Sequence, residues 1–210
     1  MRLTVTTFVS LDGVVQGPGG ANEDTTGGFA QGGWLVPYAD EGMGEFMDEV
    51  FAAADAFLLG RRTYQIFEAH WPKVTDENDP VATKLNTLPK YVASTTLTEV
   101  GWHNSTLVTD VPAEVAQLKK EPGNELQVHG SGSLVRAPMQ HRLVDEFRLL
   151  VFPVVLGGGK RLFEPGSEPA GLRLVDSKTM SKGTILAIYR VTGRPTYGTF
   201  EMEEGYGLDG

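Results

Sequence analysis

No cysteine occurs in the 210 residues, and that absence removes several chemistries at once. A disulfide framework, a thiolate zinc centre and a thiol nucleophile are excluded, and the chain is expected to work without a bound metal. A cysteine-free composition suits a reducing compartment, so a cytoplasmic location is expected. Long apolar runs are missing as well. No stretch of about 18 apolar residues is present, and the opening MRLTVTTFVSLDG lacks the basic, apolar and small-residue order of a secretory leader. The expectation is a soluble, unprocessed protein with no membrane association. Positive charge is scarce: 27 acidic side chains stand against 18 basic ones, a net charge of −9. That balance leaves no basic face for a nucleic acid. Any phosphate must be met locally, by glycine loops, helix N-termini and single arginines. No internal repeat is present either. The 26 glycines and 12 prolines are scattered, which points to tight loops and not to low complexity.

What is present reads as alternating strands and helices. Leu3, Val5, Thr7 and Val9 alternate with Thr4, Thr6 and Phe8, a strand bulky enough on both faces to be central. Gln16 to Gly33 holds seven glycines and reads as a long irregular loop, of the kind that is usually functional or disordered. Met43, Phe46, Met47, Val50, Phe51 and Ala54 have the three-and-four spacing of an amphipathic helix over 40–54. Three strand-turn-helix units follow. Ala56 to Leu59 leads through Gly60 into a helix over 63–69. Lys90 to Ser94 is followed by a strand over 105–109 and by a helix over 112–119, with Asp110 before it and a proline in its first turn. Leu126 to Val128 leads through Gly130–Ser133 into a short helix over 134–141, interrupted early by Pro138. The runs over 144–153 and 183–191 have no helix between them and read as an antiparallel pair. The sum is an α/β fold with a mixed, mostly parallel sheet in one domain over 1–193. An acidic tail over 194–210 is expected to be mobile or to lie against a partner subunit.

In such a sheet ligands bind beyond the carboxyl ends of the strands, where the turns lie. Gly60, Arg61, Arg62 and Thr63 put amides, a hydroxyl and guanidinium groups at a helix start, an anion site by physics. The same residues also fit a helix start with two solvated arginines. VASTT (92–96) ends a strand in hydroxyls. VHGSGSL (128–134) lacks the third glycine and the later acidic residue of the GxGxxG fingerprint, so a standard dinucleotide-binding assignment fails. A strand and a tight glycine turn remain, able to bring a diphosphate against backbone N–H groups. His129 reads most simply as a packed or solvated strand-end histidine.

The three turns, taken in order over residues 2–192, resemble the dihydrofolate reductase superfamily, and more closely its riboflavin-pathway reductase branch. The segments that carry the resemblance are TVTTFVSLDG, DAFLLGRRTYQIFEAHWP, KYVAST, VHGSGSLVRAPMQHRLVDEFRL and FPVVLGGGKRLF. It implies a three-layer fold of that type, a homodimer, and NADPH as cofactor. Gly60, Arg61, Arg62 and Thr63 would lie along the phosphates, Ser94 and Thr95 near the adenosine ribose and its phosphate, and Gly130, Ser131, Gly132, Ser133 and Leu134 around the diphosphate. Thr7, Phe8, Gln16 and Gly17 would border nicotinamide and substrate, with Asp12 as the polar group contacting substrate, although Asp-Gly is also a turn dipeptide. Gly157 and Gly158 would form a glycine turn beside the substrate pocket, and Trp34 and Tyr38 would line it. The implied activity is hydride transfer to a small heterocyclic or ribosylamino-pyrimidine substrate. Folate reductases carry a pterin-engaging carboxylate where the family's spacing lands on Gly44. Its neighbours Glu41, Glu45 and Asp48 are turned away by about 100° per residue. Dihydrofolate reduction is therefore an alternative, as is a nucleotide-binding relative without the chemistry.

Overall fold

The computed structural model describes residues 1–76 and 78–200. Its strands are β1 (Arg2–Ser10), β2 (Ala54–Gly60), β3 (Lys90–Ala93), β4 (Ser105–Val108), β5 (Glu125–His129), β6 (Glu146–Phe152), β7 (Gly171–Thr179) and β8 (Ile185–Gly193). Its helices are α1 (Glu41–Ala52), α2 (Arg61–His70), α3 (Pro80–Thr87), α4 (Val111–Leu118) and α5 (Gly132–Gln140). One sheet runs in the order β4-β3-β2-β5-β1-β6-β8-β7. The first six strands are parallel; β8 is antiparallel to β6, and β7 to β8. The expected architecture is the one the chain forms.

Alternation along the strands builds the layers. Leu3, Val5, Leu58, Leu126 and Val128 point to one face and pack with Val115, Leu118, Leu134 and Val135 of α4 and α5. Phe57 and Leu59 point to the other, against Phe51 of α1, Leu85 of α3 and Tyr64 of α2. The glycine-rich loop after β1 is packed. Its Phe29, Trp34 and Leu35 join Leu150, Phe152 and Leu186 of β6 and β8 in a third cluster, so a loop long enough to suggest disorder is anchored by apolar burial.

Two elements were not legible in advance. Asp79 caps α3 through the Ala82 amide, with Pro80 in its first turn, in a stretch whose apolar periodicity is too short to register. β7 lies between the two runs read as a simple pair. It is an edge strand with nearly every residue exposed, so it carries no continuous apolar run to read. α5 starts two residues earlier than expected and continues past Pro138 to Gln140. Part of the expected acidic tail, residues 201–210, lies outside the described residues.

Candidate active site

A cavity of about 950 Å³ opens at the carboxyl ends of β1, β2, β3 and β5. Two helices begin at its edge, and their first turns differ from those of the other three. α1, α3 and α4 start on Asp40, Asp79 and Asp110, whose carboxylates accept from the amides of Met43, Ala82 and Ala113. α2 and α5 have no capping side chain. The Leu134 amide is met by the Ser131 carbonyl at 2.8 Å; the remaining first-turn N–H groups, which no carbonyl of their own helix can satisfy, are left for whatever enters the cavity.

The two open turns are tied together. Ser131 Oγ accepts from the Gly60 amide at 3.2 Å and lies 2.7 Å from Thr63 Oγ1. A side chain at Gly60 would meet Ser131 Oγ at 3.0 Å, so any larger residue there would have to push Ser131 aside. Gly130 and Ser131 both take left-handed backbone, with φ of 58° and 52°, which folds the β5–α5 turn tightly enough to present its amides. At the β3 end, Arg61 donates to Thr96 Oγ1 at 2.6 Å, and Ser94 Oγ accepts from the amides of Thr96 and Leu97. A guanidinium and three successive hydroxyl residues therefore face one corner.

On the opposite side the loop closes over the cavity through Asp24. Its carboxylate pairs with Arg62 and, at 2.8 Å, with Lys160. Burial opposes ionisation of Asp24, but Arg62, Lys160 and Thr26 hold its carboxyl well below the usual carboxylate range. Gln16 is the loop's internal brace: its Nε2 donates to the carbonyls of Asp24 and Thr26, and its Oε1 accepts from the Lys160 amide at 2.9 Å.

The floor is made by Thr6 and His129, register partners across β1 and β5. Gln127 Nε2 donates to the Val50 carbonyl and to Glu125. Its Oε1 is thus the acceptor for His129 Nε2–H at 3.0 Å, which leaves Nδ1 as the lone-pair nitrogen. The imidazole stacks on Phe51, centroids 4.5 Å apart and planes 5° from parallel. Burial, with Arg148 nearby, pushes its pKa from 6.5 down to about 3. Arg148 is itself held by Glu125, at 2.9 and 2.6 Å, and by Glu146 at 3.0 Å. Thr6 Oγ1 is buried without a hydrogen-bond partner.

The structure gathers one group of expected residues and separates another. Thr7, Phe8, Gln16, Gly17, Gly60 to Thr63, Ser94, Thr95 and Gly130 to Leu134 all line the cavity. Asp12 does not. Its carboxylate accepts from Ser10 Oγ at 2.7 Å and from the amides of Leu156 and Gly157 at 3.1 and 2.9 Å. The Ser10 bond foremost lowers its pKa to about 2. Asp12 is an ionised clamp on the 156–159 turn. Gly157 and Gly158 belong to that clamped turn and lie outside the cavity. Trp34 is in the core, edge-on to Phe152, with Nε1 donating to the Gln16 carbonyl. Tyr38 packs on the same ring, and its hydroxyl donates to the Pro153 carbonyl. Lining residues missed in the sequence include Thr6, Asp24, Met47, Phe51, Ile66, Phe67 and Lys160. The spacing of Met47 and Phe51, one helical turn apart, is a visible signal, but it reads equally well as core packing.

The mixed sheet, with the cavity at the carboxyl ends of its parallel strands and an antiparallel β8–β7 edge, is a dihydrofolate reductase-like fold by its likeness to solved structures. The Schistosoma mansoni dihydrofolate reductase superposes with a TM-score of 0.54 at 17% identity, over 91% of this chain and 98% of that one. Residues 2–186 match the family model described as RibD C-terminal domain, and the chain belongs to that family. It is 30% identical to the uncharacterized protein YyaP of Bacillus subtilis (strain 168), over 91% of this chain and 96% of that protein. The Thermotoga maritima diaminohydroxyphosphoribosylaminopyrimidine deaminase/5-amino-6-(5-phosphoribosylamino)uracil reductase shares the fold, with a TM-score of 0.59 at 12% identity, over 90% of this chain and 56% of that one.

Proposed function

We propose that this chain is an NADPH-dependent reductase that transfers a hydride to a small heterocyclic substrate, the class of reaction named for the Thermotoga relative. The observation that carries the reading is the pair of uncapped helices, α2 and α5, opening side by side into one cavity. Diphosphate oxygens fit these amides, with the Gly60 and Gly130 turns allowing close approach. Arg61, Ser94, Thr95 and Thr96 fit a 2′-phosphate at the far corner.

Bound there, the cofactor supplies a hydride to an electrophilic carbon of the substrate, whose adjoining heteroatom takes up a proton as the dinucleotide is oxidised. The chain's own residues orient and enclose. The Asp24-braced loop closes one side, and Met47 and Phe51 keep water from the other. His129 has its N–H committed to Gln127 and stays neutral, so it offers an acceptor and no acid. Thr6 Oγ1 is sealed beneath the floor, so the proton comes from water admitted beside the substrate. α1 offers the cavity Met47 and Phe51 and no carboxylate, which argues against folate.

Titration of the protein with NADPH and NADH tests this reading. Micromolar or tighter binding that prefers NADPH is expected, and no binding of either dinucleotide rejects it. Arg61→Ala is expected to weaken NADPH by about 1–3 kcal/mol and NADH by much less, the usual worth of a charge-assisted hydrogen bond. Equal losses would move the 2′-phosphate elsewhere.

We also propose that the chain pairs with a second copy through the free edge of β7. Leu172, Leu174 and Val175 are exposed there. The strand is irregular between Leu174 and Asp176, and an antiparallel two-fold pairing about that point would bring the exposed Leu174 and Val175 of the two copies together.

A further inference from the structure

Charge is distributed unevenly around the cavity. Among the described residues, the cations lining it are Arg61, Arg62 and Lys160, and the carboxylates are Glu23 and Asp24. Three against two leaves one net positive charge. Arg61 stands at the β3 corner with Thr96, and the other two cations are already paired with Asp24. A dinucleotide carrying a diphosphate and a 2′-phosphate exceeds that single charge by itself.

Away from the two helix starts the wall changes character. Met47 and Phe51 of α1, Phe67 of α2 and Trp71 beyond it line the cavity and belong to one hydrophobic cluster, and Ile66 adds an exposed apolar side chain at the mouth. The ionisable group on the floor, His129, is flat against Phe51 and held neutral by burial. Thr6 Oγ1 has no accessible surface and the His129 N–H is committed to Gln127, so the floor presents no charged group to a ligand in this half.

Resting on the reductase reading, we propose that this half of the cavity takes a flat, uncharged heterocycle, and that acceptors bearing a phosphate are selected against. A phosphate dianion placed against Met47, Phe51, Phe67 and Trp71 would lose hydration with no cation to replace it. A neutral ring would gain stacking and apolar burial there.

The test uses a matched pair, 5-amino-6-(5-phosphoribosylamino)uracil and the same compound after phosphatase treatment, titrated by calorimetry into the NADP⁺-saturated protein. The unphosphorylated member is expected to bind at least about tenfold more tightly, the size of effect that follows from an unmatched, desolvated charge. Ile66→Arg, a change at an exposed position, is expected to raise affinity for the phosphorylated member alone. Equal or tighter binding of the phosphorylated member to the unaltered protein overturns the proposal. No change in Ile66→Arg overturns its electrostatic cause. Binding of neither member overturns it as well, because the apolar half would then not hold a neutral pyrimidine. Failure to bind NADPH at the outset is a separate readout and rejects the reductase reading on which the proposal rests.

Discussion

His129 sits between Phe51 and Gln127 with a pKa depressed by burial from 6.5 to about 3. Between those values the unfolded chain binds a proton that the folded chain refuses. Its contribution to stability is therefore whole above pH 6.5 and is lost as the pH falls, by about 1.4 kcal/mol per unit within the window. His129→Gln is expected to flatten the acid limb, measured as urea midpoints between roughly pH 7 and 4.5, above the range where carboxylates take over. An unchanged slope would mean that the imidazole is not held neutral. Single residues also show what could be read in advance. Gly60, Arg61, Thr63 and Gly130 are legible as cavity-lining positions because a tight strand-to-helix turn demands particular residue types side by side. Met47, Phe51 and Phe67 are not, since an apolar side chain on a helix looks the same whether it faces core or cavity. Asp12 was misplaced for the opposite reason: an ionised side chain after a strand reads as chemistry, and here its oxygens hold a neighbouring turn.

Among the elements, the five helices divide by their starts, and the division yields a contrast. Asp79→Ala removes the carboxylate that caps α3 and is expected to cost about 1 kcal/mol of stability without altering dinucleotide affinity. Ser131→Ala removes the hydroxyl that joins the Gly60 amide to Thr63. It is expected to cost about 1 kcal/mol of stability and also to weaken the dinucleotide, since both open helix starts lose their common brace. Thermal unfolding with and without NADPH separates the two variants; parallel behaviour would show that Ser131 acts only on the fold. Most strands and helices were legible from apolar periodicity and capping residues. α3 escaped because eight residues give barely two turns of pattern. β7 escaped because an exposed edge strand has no buried face to alternate.

At the scale of the whole molecule, β7 predicts assembly. Leu174→Lys places a charge at the centre of the proposed two-fold pairing and is expected to convert a dimer into a monomer in sedimentation measurements, with the fold retained because Leu174 is half exposed. A monomeric unaltered protein would rule the pairing out. The uncapped helices reach further than the site they serve. The amides open at two helix starts converge only in the folded chain, so an anion held by them stabilises the fold by mass action. At a hundredfold excess over its dissociation constant a ligand adds about 2.7 kcal/mol to the folded state, a large fraction of what a domain of this size possesses. On the proposed dinucleotide reading, loading would slow degradation of the chain and tie its lifetime in the cell to the dinucleotide supply.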